Sequence, residues 1–130
     1  MKAHTPATIR PPFARYSHAV EVPAGHRLIL LSGQLGIAPD DHIPEGAGAQ
    51  ADLCFANIDA ILASAGADRD AIVRVNAYVT DRAHLADYMA ARDRYLGQVT
   101  PPPASTLMIV SGFAREIFKV EIEVLAALPG

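Results

Sequence analysis

The sequence predicts an α+β fold in the order β-β-α-β-α-β-β, with two helices packed on one face of a mixed sheet. Three observations predict it. Two stretches carry apolar residues at helical spacing, strand-like segments surround them, and Gly/Pro-rich breaks separate the two kinds. Both helices must bury one stripe and the strands must pair, so layering the helices on a sheet of about four or five strands is the economical solution. A length of 130 residues fits a single domain spanning 1–130.

Ser17–Val22 alternates loosely, Pro23-Ala24-Gly25-His26 is turn chemistry, and Arg27–Ser32 is a strand-like apolar run. Together they read as a hairpin. Gly36 to Gly48, with Pro39-Asp40-Asp41 and Pro44-Glu45-Gly46, reads as a loop. From Ala49 to Ala65, Cys54, Ile58, Ile61, Leu62 and Ala65 share one helical face, and Gly66 is a natural stop. Ala71–Thr80 alternates Ile72, Arg74, Asn76 and Tyr78 against Val73, Val75, Ala77 and Val79, a strand of period 2. Thr80 or Asp81 then caps a second helix running to Leu96. Pro101-Pro102-Pro103 excludes both helix interior and central strand. Thr106–Val110 and Phe118–Ala126 are the last strands, joined by a turn over Ser111–Glu116. In the final strand Val120, Ile122 and Val124 alternate with Glu121, Glu123 and Leu125.

Apolar residues make up 51% of the chain, rich for a domain this small, yet no apolar run nears the ~20 residues of a membrane helix. The excess, and a sheet face that nothing in this chain covers, both point to contacts between subunits. Met1-Lys2-Ala3-His4-Thr5-Pro6 has no apolar core, so no secretory leader is expected. One cysteine, Cys54, cannot form an internal disulfide, and a cytoplasmic location is expected. A net charge of −3 with scattered basic residues argues against a nucleic-acid partner. His4, His18, His26, His42 and His84 show no metal-ligand spacing, and Gly46-Ala47-Gly48 lacks a Walker lysine, so neither metal nor cofactor is expected.

Six short pieces remain: Tyr16-Ser17-His18-Ala19, Leu31-Ser32-Gly33-Gln34, Asn57 with Ile61-Leu62 and Ala65-Gly66, Tyr78-Val79-Thr80-Asp81, Pro103-Ala104, and Val120-Glu121-Ile122-Glu123. Each is weak alone. In this order and spacing, over nearly the full length, the chain resembles the RidA (YjgF) family, also called endoribonuclease L-PSP-like. The resemblance implies a chorismate-mutase-like subunit. Three such subunits would pack their sheets around a central barrel-like core, a homotrimer with a small-molecule pocket in each intersubunit cleft. The best-known branch of the family hydrolyses enamine or imine acids such as 2-aminoacrylate to keto acids and ammonia. There, an arginine directly after Pro-Ala holds the substrate carboxylate, a glutamate in the last strand handles the attacking water, and a backbone amide near the Ser-Gly-Gln turn contributes.

Carried onto this sequence, the resemblance implies Glu121 as the catalytic group, Ser32-Gly33-Gln34 as the turn and Tyr16 as the pocket tyrosine. Met89 stands where that branch has asparagine, and Arg92 where tyrosine is common. The arginine is absent: Ser105 follows Pro103-Ala104. A guanidinium clamps a carboxylate through two bonds, whereas serine offers one neutral hydroxyl. Hydrogen bonds to charged groups contribute about 1.5–3 kcal/mol each, so losing two weakens carboxylate binding by roughly 10²–10⁴-fold. The usual enamine acid is therefore expected to be a poor substrate.

From spacing alone Glu121 is a solvated strand carboxylate, and only the resemblance makes it a pocket acid or base. Ser105 has no evident base to activate it, which leaves it as pocket lining. Arg115 and Arg92 are candidates for a replacement cation, each reading otherwise as an exposed arginine or a rim ion pair. Cys54 reads as a small core residue, and Asn57 as a group that satisfies buried backbone. Two functions stay open: a deaminase-like hydrolase of a small organic metabolite, and a non-catalytic binding module on the same trimer. A nuclease is opposed by the acidic balance and the lack of a catalytic histidine pair.

Overall fold

A computed structural model describes residues 1–130. Its strands are β1 (Lys2–His4), β2 (Ala19–Glu21), β3 (His26–Leu30), β4 (Gln34–Leu35), β5 (Ile72–Val79), β6 (Ala104–Ile109) and β7 (Val120–Pro129). Its helices are α1 (Ala47–Ser64) and α2 (Leu85–Leu96). β3, β7, β5 and β6 pair in that order, and the short β4 adds to β7. β7 is antiparallel to its neighbours, whereas β5 and β6 are parallel and joined through α2. Parallel neighbours need such a crossover. The sheet is mixed, as expected, and the strand order is that of a chorismate-mutase-like subunit.

The expected hairpin does not form. β2 pairs antiparallel with β1, held in part by His4 Nε2 and Glu21 Oε2 at 2.7 Å, and β3 pairs with β7. Gly25, at φ +83°, turns the chain, and its carbonyl lies against Gly130 at the far end of β7. The turn therefore delivers β3 to the C-terminal strand rather than back onto β2. β1 is three residues long and carries no alternation that a sequence pattern can reveal.

Val75, Ala77 and Val79 on β5, with Val120, Ile122 and Val124 on β7, face the helices and join Phe55, Ile58, Leu62, Tyr88 and Leu96 in one core. Phe55 stacks on Tyr95 with ring centroids 4.4 Å apart. The alternation expected along β5 fails at its start. A register shift between Ile72 and Arg74 buries both Ile72 and Val73, and the period of 2 holds from Arg74 onward. Asp81 caps as expected, but what it caps is a 3-10 turn, Arg82–His84, through the Ala83 N–H at 2.8 Å; α2 starts only after that turn.

Gln50, fully buried near the start of α1, donates to Pro44 O (2.8 Å) and Ile117 O (2.9 Å) and accepts from the Lys119 N–H (2.8 Å). It ties the loop before α1 to the segment before β7. The sheet face away from the helices is open: Leu28 and Leu30 are 55% and 71% exposed. No helix is long and apolar enough to cross a membrane.

Candidate functional site

β3 pairs Leu30 with Leu125, whereas β4 pairs Gln34 with Ile122 and Leu35 with Glu121. The register slips by one residue between them, so Leu31-Ser32-Gly33 holds a bulge. Bulges twist a strand and re-aim side chains, often beside active sites. Here the bulge meets Glu121. A Cβ added to Gly33 would lie 2.8 Å from Glu121 Cδ and 2.9 Å from Oε1. The missing side chain at Gly33 is what admits the carboxylate against the backbone. Gln34 is half-buried, its Nε2 donating to Ser32 O at 3.1 Å, and Ser32 is exposed. Glu121 and the Ser32-Gly33-Gln34 turn are thus together.

Across the sheet Glu121 pairs with Tyr78, and partners across a ladder share a face. Next to them lies a polar network that sequence reading missed. Glu123 Oε1 accepts from Tyr78 Oη (2.8 Å) and Asn76 Nδ2 (3.2 Å), and Arg74 Nη2 donates to Thr106 Oγ1 at 2.5 Å. A carboxylate accepting the Tyr78 hydroxyl proton, and the nearby charge of Glu121, hold the Tyr78 phenol above its ordinary pKa. A depression of about 200 Å³ runs between Leu30, Leu125, Arg74, Asn76 and Glu123. Alternation puts Arg74, Asn76 and Tyr78 on one face of β5 and Glu121 with Glu123 on one face of β7, but only the register between the strands brings the two sets together.

The remaining predicted residues lie elsewhere. Ser105 pairs with Val75, so it belongs to the helix-facing side, opposite in sense to Glu121. Met89, on α2, packs against the same helix-side core. Within one chain, then, Ser105 and Met89 are not brought into one pocket with Glu121. Tyr16 is half-buried; its Oη accepts from the Phe13 N–H at 3.3 Å, and its ring meets His18 edge-on at 5.9 Å. The next residue, Ser17, donates through N to Pro103 O (3.1 Å) and through Oγ to Pro102 O (2.6 Å). That strap holds Tyr16 beside the start of β6, on the Ser105 side of the subunit. Arg115 is exposed, its guanidinium 5.5 Å from the Phe118 ring. Arg92 departs from expectation: it is 4% exposed, turned inward on α2, with Nε and Nη2 both donating to Asp93 Oδ1 (3.3 and 3.1 Å).

Cys54 is buried, and burial, reinforced by the negative charge of Glu121, pushes its thiol up to about 12. That matches a packing residue. Asn57 Nδ2 donates to Leu35 O and Ile37 O, both at 3.3 Å, and so anchors the chain just after the bulge.

The sequence model of the family described as Endoribonuclease L-PSP matches residues 7–128. The chain belongs to this family, the RidA/YjgF family. It is similar to Protein HMF1 of Saccharomyces cerevisiae, 32% identical over 115 residues, 88% of this chain and 84% of that protein. A RutC family protein of Aquifex aeolicus is 35% identical over 116 residues, 88% and 90% of the two chains. Among solved structures, the Rid family protein YyfB of Yersinia pestis superposes with a TM-score of 0.85 at 29% identity, covering 98% of each chain. RidA of Psychrobacter gives 0.72 at 29% identity, covering 98% of this chain and all of that one.

Proposed function

We propose that this RidA/YjgF family member works as a homotrimer whose intersubunit clefts hydrolyse a small imine, enamine or related metabolite, with Glu121 activating water. The observation that carries the reading is the Glu121 carboxylate seated against the Gly33 backbone, where the missing side chain leaves room for it. Two further features support it. Leu28 and Leu30 lie exposed on the open sheet face, and exposed apolar patches mark protein contacts. Ser105 and Met89 face away from Glu121 within one chain, so a site using both groups draws on two subunits.

Because Ser105 replaces the strand arginine, the protein is not an efficient 2-aminoacrylate deaminase by the usual route. Ammonia release from freshly generated 2-aminoacrylate tests the reading in the native protein, Ser105→Arg and Glu121→Ala. Weak native turnover, raised by Ser105→Arg and abolished by Glu121→Ala, is expected. Undiminished turnover in Glu121→Ala overturns the mechanism.

The absent arginine also favours a second reading, a binding module without turnover on the same trimer. A small metabolite that raises the unfolding temperature and is recovered unchanged would select it over the hydrolase.

A further inference from the structure

The open face of the sheet is not uniformly apolar. Side chains alternate between the two faces of a strand, and partners across a ladder share a face. The registers therefore lay the open face out in rows. Leu28 pairs with Ala127 and Leu30 with Leu125, which makes one end apolar. At the other end Tyr78 stands between Glu121 and Met108. Between these rows Glu123, Asn76 and Thr106 lie side by side across β7, β5 and β6, and Arg74 stands next to Leu125. A polar band thus crosses a face whose flanks carry Leu28, Leu30 and Met108, all of them exposed.

The band is incomplete within one chain. Glu123 Oε1 accepts from Tyr78 Oη and Asn76 Nδ2, whereas Oε2 accepts from no group. Arg74 commits Nη2 to the Thr106 hydroxyl and leaves Nε and Nη1 without an acceptor. Neither Arg74 nor Glu123 enters an ion pair, although both line the same depression of about 200 Å³. That volume falls short of the roughly 300–1,000 Å³ of pockets for drug-sized ligands, and leaves room for a side chain. Both groups are half-buried and tied by bonds within the chain, so their orientation is set before a partner arrives.

Charge complementarity identifies the occupant as a second copy of the chain. One face carries both a free guanidinium edge and a free carboxylate oxygen, so it complements itself. Its leucines supply apolar area to bury, while the band penalises any misaligned pairing, which would leave a charge out of water and unpaired.

We infer that Arg74 of each subunit donates to Glu123 of the next, and that three such contacts close the ring and fix its register. The inference rests on the homotrimer proposed above and assigns the residues that select it. A donor and an acceptor on one patch pair head to tail, each subunit giving its arginine to one neighbour and its carboxylate to the other. The free edge of Arg74 and the free oxygen of Glu123 are then both used.

Light scattering after size exclusion, with native mass spectrometry, reads the stoichiometry of the full chain. The native protein is expected to be a trimer. Arg74→Glu and Glu123→Arg, each checked for folding by circular dichroism, should dissociate at least about tenfold more readily. The two changes in one chain should restore the trimer. Arg74→Gln removes the charge yet keeps a donor for Thr106, and it decides the matter if Arg74→Glu does not fold. A native trimer whose dissociation is unchanged in Arg74→Glu and in Arg74→Gln overturns the pair and leaves the trimer standing. Failure of the double change to restore assembly, with both single variants folded, overturns the pair as well. A native monomer or dimer overturns the pair and the trimer together.

Discussion

Gln50 and Arg92 are both buried polar side chains on helices, and they differ in what their hydrogen-bonding groups meet. The Gln50 amide makes three bonds, to Pro44 O, Ile117 O and the Lys119 N–H, and closes the junction between α1 and β7. Arg92 spends two donors on one half-exposed carboxylate and leaves an edge unused. A satisfied buried group is a structural peg, since removing it orphans its partners. A half-satisfied one contributes little to folding. The difference teaches which polar groups hold together a domain whose other buried groups are nearly all apolar.

The comparison can be broken by mutation. Gln50→Leu leaves two carbonyls and one N–H unpaired and is expected to lower stability by about 3 kcal/mol in urea unfolding. If it is neutral, Gln50 is no peg. Gly36→Ala follows, because its Cβ would sit 2.7 Å from Gln50 Cα, where backbone rather than a flexible tip must move. A loss of about 2 kcal/mol is expected, consistent with overpacking. Arg92→Met, by contrast, should change stability by no more than about 1 kcal/mol in the same urea unfolding. A large destabilisation would make Arg92 a second peg.

Smaller effects concern the Glu121 side. A Cβ at Gly33 meets Cγ, Cδ and Oε1 of Glu121, side chain rather than backbone, so Gly33→Ala should cost about 1 kcal/mol yet displace the carboxylate and cut turnover. Retained turnover would separate the Gly33 contact from function. Cys54 sharpens the electrostatics. Its thiol titrates near 12 in the folded protein against 9.0 ordinarily, so above pH 9 the unfolded chain has lost a proton that the folded one keeps. Stability present below pH 9 should therefore decline as pH rises toward 12, and Cys54→Ala should blunt that decline. Identical pH profiles for the two proteins would count against a sealed thiol. Tyr78, Tyr88 and Tyr95, all raised, push in the same direction at high pH.

Much of the fold was legible because both helices and the central strands advertise their period. Cys54, Ile58 and Leu62 mark α1, and Val75 to Val79 mark β5, because burial on one side imposes the spacing. What escaped was short or defined by pairing. β1 and β4 are three and two residues long, too short for a period to show. The failed β2–β3 hairpin shows that a turn specifies a reversal without specifying which edge the chain joins. Of the site, Glu121 and Ser32-Gly33-Gln34 were named by resemblance, and the structure shows them in contact range. The Glu123, Tyr78 and Asn76 network went unread, since a carboxylate on a strand looks solvated until its partners across the ladder are known.

The sequence by itself determined the α+β class, the two amphipathic helices, the alternating strands, the serine that follows Pro103-Ala104 and the apolar excess that points to an uncovered sheet face. These depend on composition and on spacing along the chain. Only the tertiary structure decided that Gly33 opens a bulge onto Glu121, that Ser105 points to the opposite face, and that Arg92 is buried with an unspent edge. Each of these depends on register between strands or on the rotation of a helix against a sheet. Distant segments set such quantities by packing and hydrogen bonding together, and a pattern read along one segment does not contain them.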